Sequence, residues 1–164
     1  MSVLLAVDDE LAETLRGLLP GDVTPHQPDL AHMPFTSLAE EGPRALAYDV
    51  AHKNPQVLVA GVRLGGNAYC GMDGVRLVLQ APKPPAVVVL TPLVTPELAK
   101  HGREIGVYDF VATRGRSIAD LVERVTKAVV FASAWRDGFS SSTSLGLRSR
   151  ARKPPSRKPR RGRS

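Results

Sequence analysis

Three short apolar runs, none interrupted by a polar side chain, constrain the fold of this chain more than any other feature. They are Val3–Val7, Val57–Ala60 and Ala86–Leu90. A strand with one face in water alternates apolar and polar residues, whereas a strand buried on both faces does not. Sheets covered on both faces are built from parallel strands joined by helices. The three runs therefore predict the centre of a parallel sheet with helices on either side.

The segments between these runs have the period of amphipathic helices. In the first segment, one face carries Leu11, Leu15, Leu18 and Leu19. A later helix is predicted to start at Thr95-Pro96-Glu97, a cap followed by a first-turn proline and an acid. The last helix has a core-facing stripe of Ile118, Leu121, Val122, Val125, Val129 and Ala132.

Two weaker strands, Asp22–Thr24 and Asp109–Ala112, complete the pattern. Counted along the chain, the elements alternate as five strand–helix pairs. This order predicts a single α/β domain over residues 1–136, a doubly wound (βα)5 fold with a five-stranded parallel sheet.

The positive charge of the chain is concentrated at its C-terminus. Residues 148–164 contain nine Lys or Arg and no carboxylate, so residues 1–147 carry 13 basic and 16 acidic groups, a balance of −3 in a chain of +6. From residue 137 the sequence is rich in Ser and then in Arg, Lys and Pro. Such a segment buries too little apolar area to offset its conformational entropy, so we expect residues 137–164 to be a disordered basic tail.

The remaining composition indicates a soluble cytoplasmic protein. The single cysteine, Cys70, excludes a disulfide framework and fits a reducing compartment. No apolar run approaches the roughly 20 residues that a membrane-spanning helix needs. The four histidines, which have no spacing typical of metal ligands, are expected on the surface or in loops: His26, His32, His52 and His101.

Four short motifs, taken in order, resemble the receiver domain of bacterial two-component response regulators. They are Asp8-Asp9 after the first strand, Met72-Asp73-Gly74 after the third, Thr91 at the end of the fourth, and Gly106–Phe110 leading into the fifth. The resemblance covers roughly residues 2–134 and implies a flavodoxin-like fold. It also implies a Mg²⁺-dependent aspartyl phosphate at the carboxyl ends of the strands.

The residues expected for that chemistry are incomplete. The family's phosphoacceptor aspartate aligns with Gly61, which has no side chain to phosphorylate, and its lysine aligns with Thr113. Arg114 supplies a charge there only if the loop slips by one residue. Asp8 and Asp9 retain the acidic pair that implies weak, residual Mg²⁺ binding, although one of them could instead cap the first helix. Thr91 and Phe110 match the family's hydroxyl and aromatic switch positions, and no cofactor is required.

A lengthened loop lies beside this pocket. The family pattern moves from the acceptor strand to Met-Asp-Gly within a few residues, whereas Gly65–Gly71 makes this connection longer. The loop either covers the pocket or contacts a ligand, through Gly66, Asn67, Tyr69 and Cys70, or it is a surface insertion without a role.

The basic tail is predicted to bind a polyanion through counterion release. Its cations are Arg148, Arg150, Arg152, Lys153, Arg157, Lys158, Arg160, Arg161 and Arg163. It has no aromatic residue for base stacking, so DNA or RNA is favoured by charge alone, and an anionic membrane surface or an acidic protein satisfies the same electrostatics.

Two functional hypotheses follow. The first is a stand-alone pseudo-receiver in signal transduction or transcription regulation, which binds another signalling protein or a second copy through the face formed by the fourth helix, fifth strand and fifth helix, with Trp135 in the contact set. The second is a sensor of a small ligand or metal ion in the degraded acidic pocket. No nucleophile–base pair is recognisable, so an enzyme is not expected.

Overall fold

Five parallel strands and five helices alternate along the chain. The computed structural model describes residues 1–26, 38–61 and 72–149, and the backbone alone at 38–42 and 139–149. The strands are β1 (Ser2–Ala6), β2 (Asp22–Pro25), β3 (Val57–Gly61), β4 (Ala86–Thr91) and β5 (Asp109–Ala112). The helices are α1 (Asp9–Leu18), α2 (Leu38–Lys53), α3 (Met72–Leu79), α4 (Pro96–Ile105) and α5 (Ile118–Ser149). The sheet order is β2-β1-β3-β4-β5, which confirms the doubly wound prediction.

The central strands are buried on both faces, as their uninterrupted apolar sequences predict. In β1, Val3 and Leu5 pack in a cluster with α1 and α5, whereas Leu4 and Ala6 pack in a second cluster with α2 and α3. β3 and β4 divide in the same way, residue by residue. Because burying each Val or Leu side chain contributes about 1.5–3 kcal/mol, this two-sided core is the main source of stability.

The second strand, which the sequence predicts only weakly, lies at the edge of the sheet. β2 pairs with β1 alone among the described strands, in the register Ser2↔Asp22 to Leu5↔Pro25. A proline is tolerated at an edge because its missing N–H breaks no ladder between two neighbours. The edge position therefore explains why this strand has little of the apolar signal of the others.

The last helix is longer than the sequence predicts. α5 continues to Ser149, past the domain boundary predicted at residue 136. The first half of α5 is packed on the sheet, and adding turns to an existing helix costs far less than nucleating one. Residues 150–164 lie outside the described ranges.

Two predictions of burial are wrong. Leu18 and Ile118, predicted on the apolar faces of their helices, are 58% and 66% exposed. Each stands at the end of its helix, where the apolar stripe passes beyond the sheet. His26, predicted to be a surface or loop residue, lies in the loop after β2. Its side chain is nevertheless 2% exposed, and its Nδ1 lies 2.6 Å from Oδ2 of the buried Asp49 on α2. That hydrogen bond offsets the cost of burying the ring beside β2.

No described helix is both long and apolar enough to cross a membrane.

Candidate functional site

Four of the predicted site residues lie at the carboxyl ends of neighbouring strands. Asp8 follows β1, Gly61 ends β3, Thr91 ends β4 and Thr113 follows β5. These strands lie side by side and run in the same direction, so their carboxyl ends share one edge of the sheet. This edge is where open α/β folds bind ligands. We refer to these four residues with Asp9 as the carboxyl-end site.

Gly61 has room for a β-carbon among the described residues. Such an atom would lie 3.4 Å from Val7 Cγ1 and 3.5 Å from Val7 Cα, which is ordinary van der Waals contact. Among the described glycines, those with positive φ are Gly21, Gly106 and Gly115, so the backbone at Gly61 is one that any residue adopts. Neither contact with the described residues nor backbone conformation therefore requires a glycine at the end of β3.

Asp8 caps α1. Its Oδ1 accepts a hydrogen bond from Leu11 N at 3.0 Å, and its backbone is extended. Asp9 is exposed in the first helical turn, where a carboxylate interacts favourably with the helix dipole. Of the two roles weighed for the acidic pair, the structure therefore gives Asp8 the capping role.

A Mg²⁺ ion fits this site only in part. Such an ion takes oxygen ligands, commonly from one or two carboxylates together with water and phosphate. Asp8 and Asp9 would hold it, but one oxygen of Asp8 is engaged in the cap and Gly61 contributes no carboxylate. Within residues 1–26, 43–61 and 72–138, no group of three or more His, Cys, Asp or Glu is arranged to hold a metal ion. Residual Mg²⁺ binding stays a prediction.

Thr91 and Thr113 are held together by the backbone. Thr113 N donates to Thr91 O at 2.8 Å, and Arg114 N donates to Pro92 O at 3.2 Å. Thr91 is fully buried and its hydroxyl donates to Leu93 O at 3.3 Å. These two backbone bonds fix the loop after β5 so that Thr113, and not Arg114, lies beside Thr91. Arg114 is exposed. The one-residue slip that would bring Arg114 into the lysine position does not occur.

Phe110 packs tightly against α4. Its ring occupies the space in which a β-carbon on Gly102 would lie, with Cζ and Cε2 as the nearest atoms. Gly102 is buried in the middle of α4, so this helix depends on a residue without a side chain at the point of contact. The ring of Phe110, the aromatic residue predicted to act as a switch, is thus tightly packed against α4.

Other predicted site residues lie outside the described ranges or only at their end. The pocket loop with Gly66, Asn67, Tyr69 and Cys70 is outside them, as is the tail from Arg150 onward. Arg148 lies in the last turn of α5.

A second concave surface lies between β5 and α5, with a volume of about 400 Å³. We call it the β5–α5 groove. It is lined by Tyr108, Asp109, Phe110, Val111, Ala112, Arg116, Arg124, Lys127, Ala128 and Phe131. Beside it, the rings of Tyr108 and the half-exposed Trp135 are 5.4 Å apart.

Sequence reasoning located this face but missed most of its residues. Arg124, Lys127 and Phe131 fall between the buried positions of α5, so in sequence they resemble an ordinary solvated surface. Phe131 offered a signal in the sequence, because it is a large aromatic residue outside the core-facing stripe of α5. In the structure it is 63% exposed. The relation of these side chains to the edge of β5 appears only in the folded structure.

Ion pairs along α5 organise the cations of the groove. Arg116 Nη1 lies 2.8 Å from Asp120 Oδ2, and Arg124 Nε lies 3.5 Å from the same oxygen. The hydrogen bond from Arg116, assisted by attraction to Arg124, holds the pKa of Asp120 below its usual value. Lys127 Nζ lies 2.8 Å from Glu123 Oε1. These pairs are exposed, so they orient the cations more than they stabilise the fold.

The strand order and the position of the site define the class of fold without reference to any related sequence. A five-stranded parallel sheet in the order β2-β1-β3-β4-β5, with a polar edge at its carboxyl ends, is the flavodoxin-like architecture. No family model matches the sequence, and no curated protein matches it.

Solved structures narrow the fold to that of response-regulator receiver domains. A signal receiver domain from Vibrio parahaemolyticus superposes with a TM-score of 0.60 at 17% identity, covering 85% of this chain and 95% of that one. The response regulator domain of Thermotoga maritima CheB gives 0.59 at 10% identity, over 80% and 94%. A DNA-binding response regulator of the LuxR family from Staphylococcus aureus gives 0.55 at 16%, over 78% and 98%. At these identities the likeness establishes the fold alone.

Proposed function

We propose that this chain is a pseudo-receiver, a phosphorylation-independent module that acts in signal transduction or transcription regulation by binding another protein. The observation that carries the proposal is Gly61. The end of β3 accepts a β-carbon without a clash with the described residues and has a backbone conformation that an aspartate adopts, yet the side chain that would accept a phosphoryl group is absent. The proposal includes no enzymatic activity and no required cofactor.

The state of the switch residues supports the same function. In the family that the chain resembles, a phosphoryl group attracts the hydroxyl residue and the aromatic residue follows. Here the Thr91 hydroxyl is bonded to Leu93 O, and Phe110 is wedged against Gly102. A conformational change needs a ligand with different affinity for two states. Without an acceptor, the face formed by α4, β5 and α5 stays in one state, ready to bind.

That face has the properties of an interaction surface. Phe131 and Trp135 are 63% and 51% exposed on α5, next to the β5–α5 groove. Exposed aromatic residues and arginines are enriched in protein interfaces and at the centres of their binding energy. A second copy of the chain is one candidate partner, and another regulatory protein is the other.

The basic tail would tether the module to a polyanion. Nine cations in residues 148–164 favour DNA or RNA through counterion release. The first of these cations, Arg148, lies on α5, the helix that also carries Phe131 and Trp135. The Staphylococcus aureus neighbour is described as DNA-binding, which is compatible with this role.

Capture of partners from the native host tests the proposal. The immobilised full chain is compared with Phe131→Ala and with Leu18→Ala, which removes an equally exposed apolar side chain from α1. We expect wild type and Leu18→Ala to retain the same partner with or without acetyl phosphate and Mg²⁺, and Phe131→Ala to lose it. A partner that binds only after acetyl phosphate treatment would overturn the proposal. A partner that responds to added Mg²⁺ alone, or to a small molecule, would favour a sensor at the carboxyl-end site.

A further inference from the structure

The β5–α5 groove has a chemistry that selects its partner. Three cations line it, Arg116, Arg124 and Lys127, and Asp109 is the one carboxylate among the lining residues. The same cations also pair with Asp120 and Glu123, which lie outside the lining. Arg124 and Lys127 have side chains that are 53% and 66% exposed, so each keeps N–H groups that face solvent beyond its bond within the chain. An arginine has five such donors, and its planar group matches a carboxylate. The lining therefore favours an anionic occupant.

The tail of this chain is excluded as that occupant. Residues 148–164 carry nine cations and no carboxylate, so like charges would meet in the groove. The partner must therefore bring the acidic groups.

The edge of β5 is partly blocked to an added strand by side chains of this chain. β5 pairs with β4 alone among the described strands, and Thr113 N donates to Thr91 O. By the two-residue period of a strand, Phe110 and Ala112 then turn their backbone groups to the open edge. Two of these four groups are bonded from within the chain: Asp109 Oδ1 accepts from Phe110 N at 2.8 Å, and Arg116 Nε donates to Ala112 O at 2.7 Å. An incoming strand would have to displace both side chains.

The groove side of α5 instead presents contacts at helical spacing. From Arg124 to Lys127 the helix rises about 4.5 Å, and from Arg124 to Phe131 about 10.5 Å. A second helix lying along α5 presents residues three and seven positions apart at the same separations. Ala128, a small residue that also lines the groove, lets such a helix approach closely.

From these contacts we infer that the β5–α5 groove binds an acidic amphipathic helix of a partner protein. Two carboxylates of that helix pair with Arg124 and Lys127, and an apolar side chain one to two turns away packs on Phe131. This inference rests on the proposed function, since it specifies the chemistry of the partner that the module binds.

The test is fluorescence anisotropy with a lactam-bridged helical peptide that carries Glu, Glu and Leu at positions i, i+3 and i+7. The full chain is compared with the double variant Arg124→Gln/Lys127→Gln and with Phe131→Ala. The control is Arg16→Gln/Arg76→Gln, which removes two exposed cations from α1 and α3, outside both the groove lining and the face formed by α4, β5 and α5. The tail is present in every protein, so binding to the tail cannot distinguish them.

We expect the double groove variant to bind the peptide about tenfold more weakly, since two partly exposed charge pairs are lost. Phe131→Ala weakens binding in the same way, and the control variant of α1 and α3 binds as wild type does. A peptide with Gln in place of both Glu binds none of the proteins measurably. Equal affinity of wild type and both groove variants would overturn the inference. So would tighter binding of an extended, proline-containing peptide with the same side chains, or a short DNA duplex whose affinity depends on Arg124 and Lys127.

The failure of this inference is separable from the failure of the proposed function. If the groove variants bind the peptide normally but the chain still captures its native partner without acetyl phosphate, the pseudo-receiver role stands and the acidic-helix partner falls.

Discussion

Replacing Gly102 with alanine probes the packing that fixes Phe110 against α4. A β-carbon at this position would overlap Cζ and Cε2 of the Phe110 ring, so the ring has to move away from the helix. Overpacking of this kind costs typically about 1–3 kcal/mol. Alanine in a helix interior is in turn more favourable than glycine by about 1 kcal/mol, which masks part of that cost.

Gly17 in α1 offers the matched control. It is also a helical glycine, but a β-carbon there meets nothing within 4 Å. Gly17→Ala therefore gains helix propensity without a clash and raises the free energy of unfolding by up to about 1 kcal/mol. The gain in helix propensity is common to both variants. The difference between their free energies of unfolding therefore reports the packing of Phe110 alone, and we expect it to be about 1–3 kcal/mol.

Urea unfolding of the full chain measures this difference. With an m-value of about 1–3 kcal/mol/M, we expect the midpoint of Gly102→Ala to fall roughly 1 M below that of Gly17→Ala. The double variant Gly102→Ala/Phe110→Ala should lose less free energy of unfolding than the two single variants lose together, since both changes act on the same contact. If Gly102→Ala raises the midpoint as Gly17→Ala does, Phe110 is not wedged against α4.

Three further changes have expected outcomes. Asp8→Ala lowers the free energy of unfolding by about 0.5–2 kcal/mol through loss of the helix cap, whereas Asp9→Ala has a smaller effect, as urea midpoints would reveal; equal effects would contradict the capping role. Removal of residues 148–164 abolishes salt-sensitive binding to duplex DNA in an anisotropy titration and leaves the thermal midpoint nearly unchanged, and undiminished binding would remove the tether. The pKa of Asp120 is lowered mainly by the hydrogen bond from Arg116. The carboxylate therefore makes the wild type more stable to unfolding than Asp120→Asn at pH values above the ordinary pKa of about 3.9, and this advantage is lost as the pH falls through the lowered folded value. A stability difference that grows on acidification would contradict this sign.

The parallel sheet was predictable because its central strands are buried on both faces. Val57–Ala60 and Ala86–Leu90 contain no polar residue, and no other common arrangement requires such runs between helical segments. The cap at Thr95 was equally readable, since its hydroxyl accepts from the backbone N–H of Leu98, three residues ahead in the sequence. These features depend on local chemistry alone.

The features that sequence could not predict depend on contacts between distant segments. His26 is buried because Asp49, 23 residues away, pairs with it. The β5–α5 groove lies between residues 108–112 and residues 124–131, which only the fold brings side by side. The extension of α5 to Ser149 runs through a Ser-rich segment of low helix propensity, so the packed part of the helix determines it and local preference does not. Gly61 was found in the sequence, but the room beside it was visible only in the fold.

The central claim is that the chain has no phosphoacceptor, and intact-mass spectrometry tests it directly. The full chain is incubated with acetyl phosphate and Mg²⁺ beside a receiver domain that has its acceptor aspartate, and both masses are recorded before any exposure to acid. We expect the reference domain to gain one phosphoryl group and this chain to keep its original mass. An acid-labile phosphoryl group on any aspartate of this chain would contradict the account.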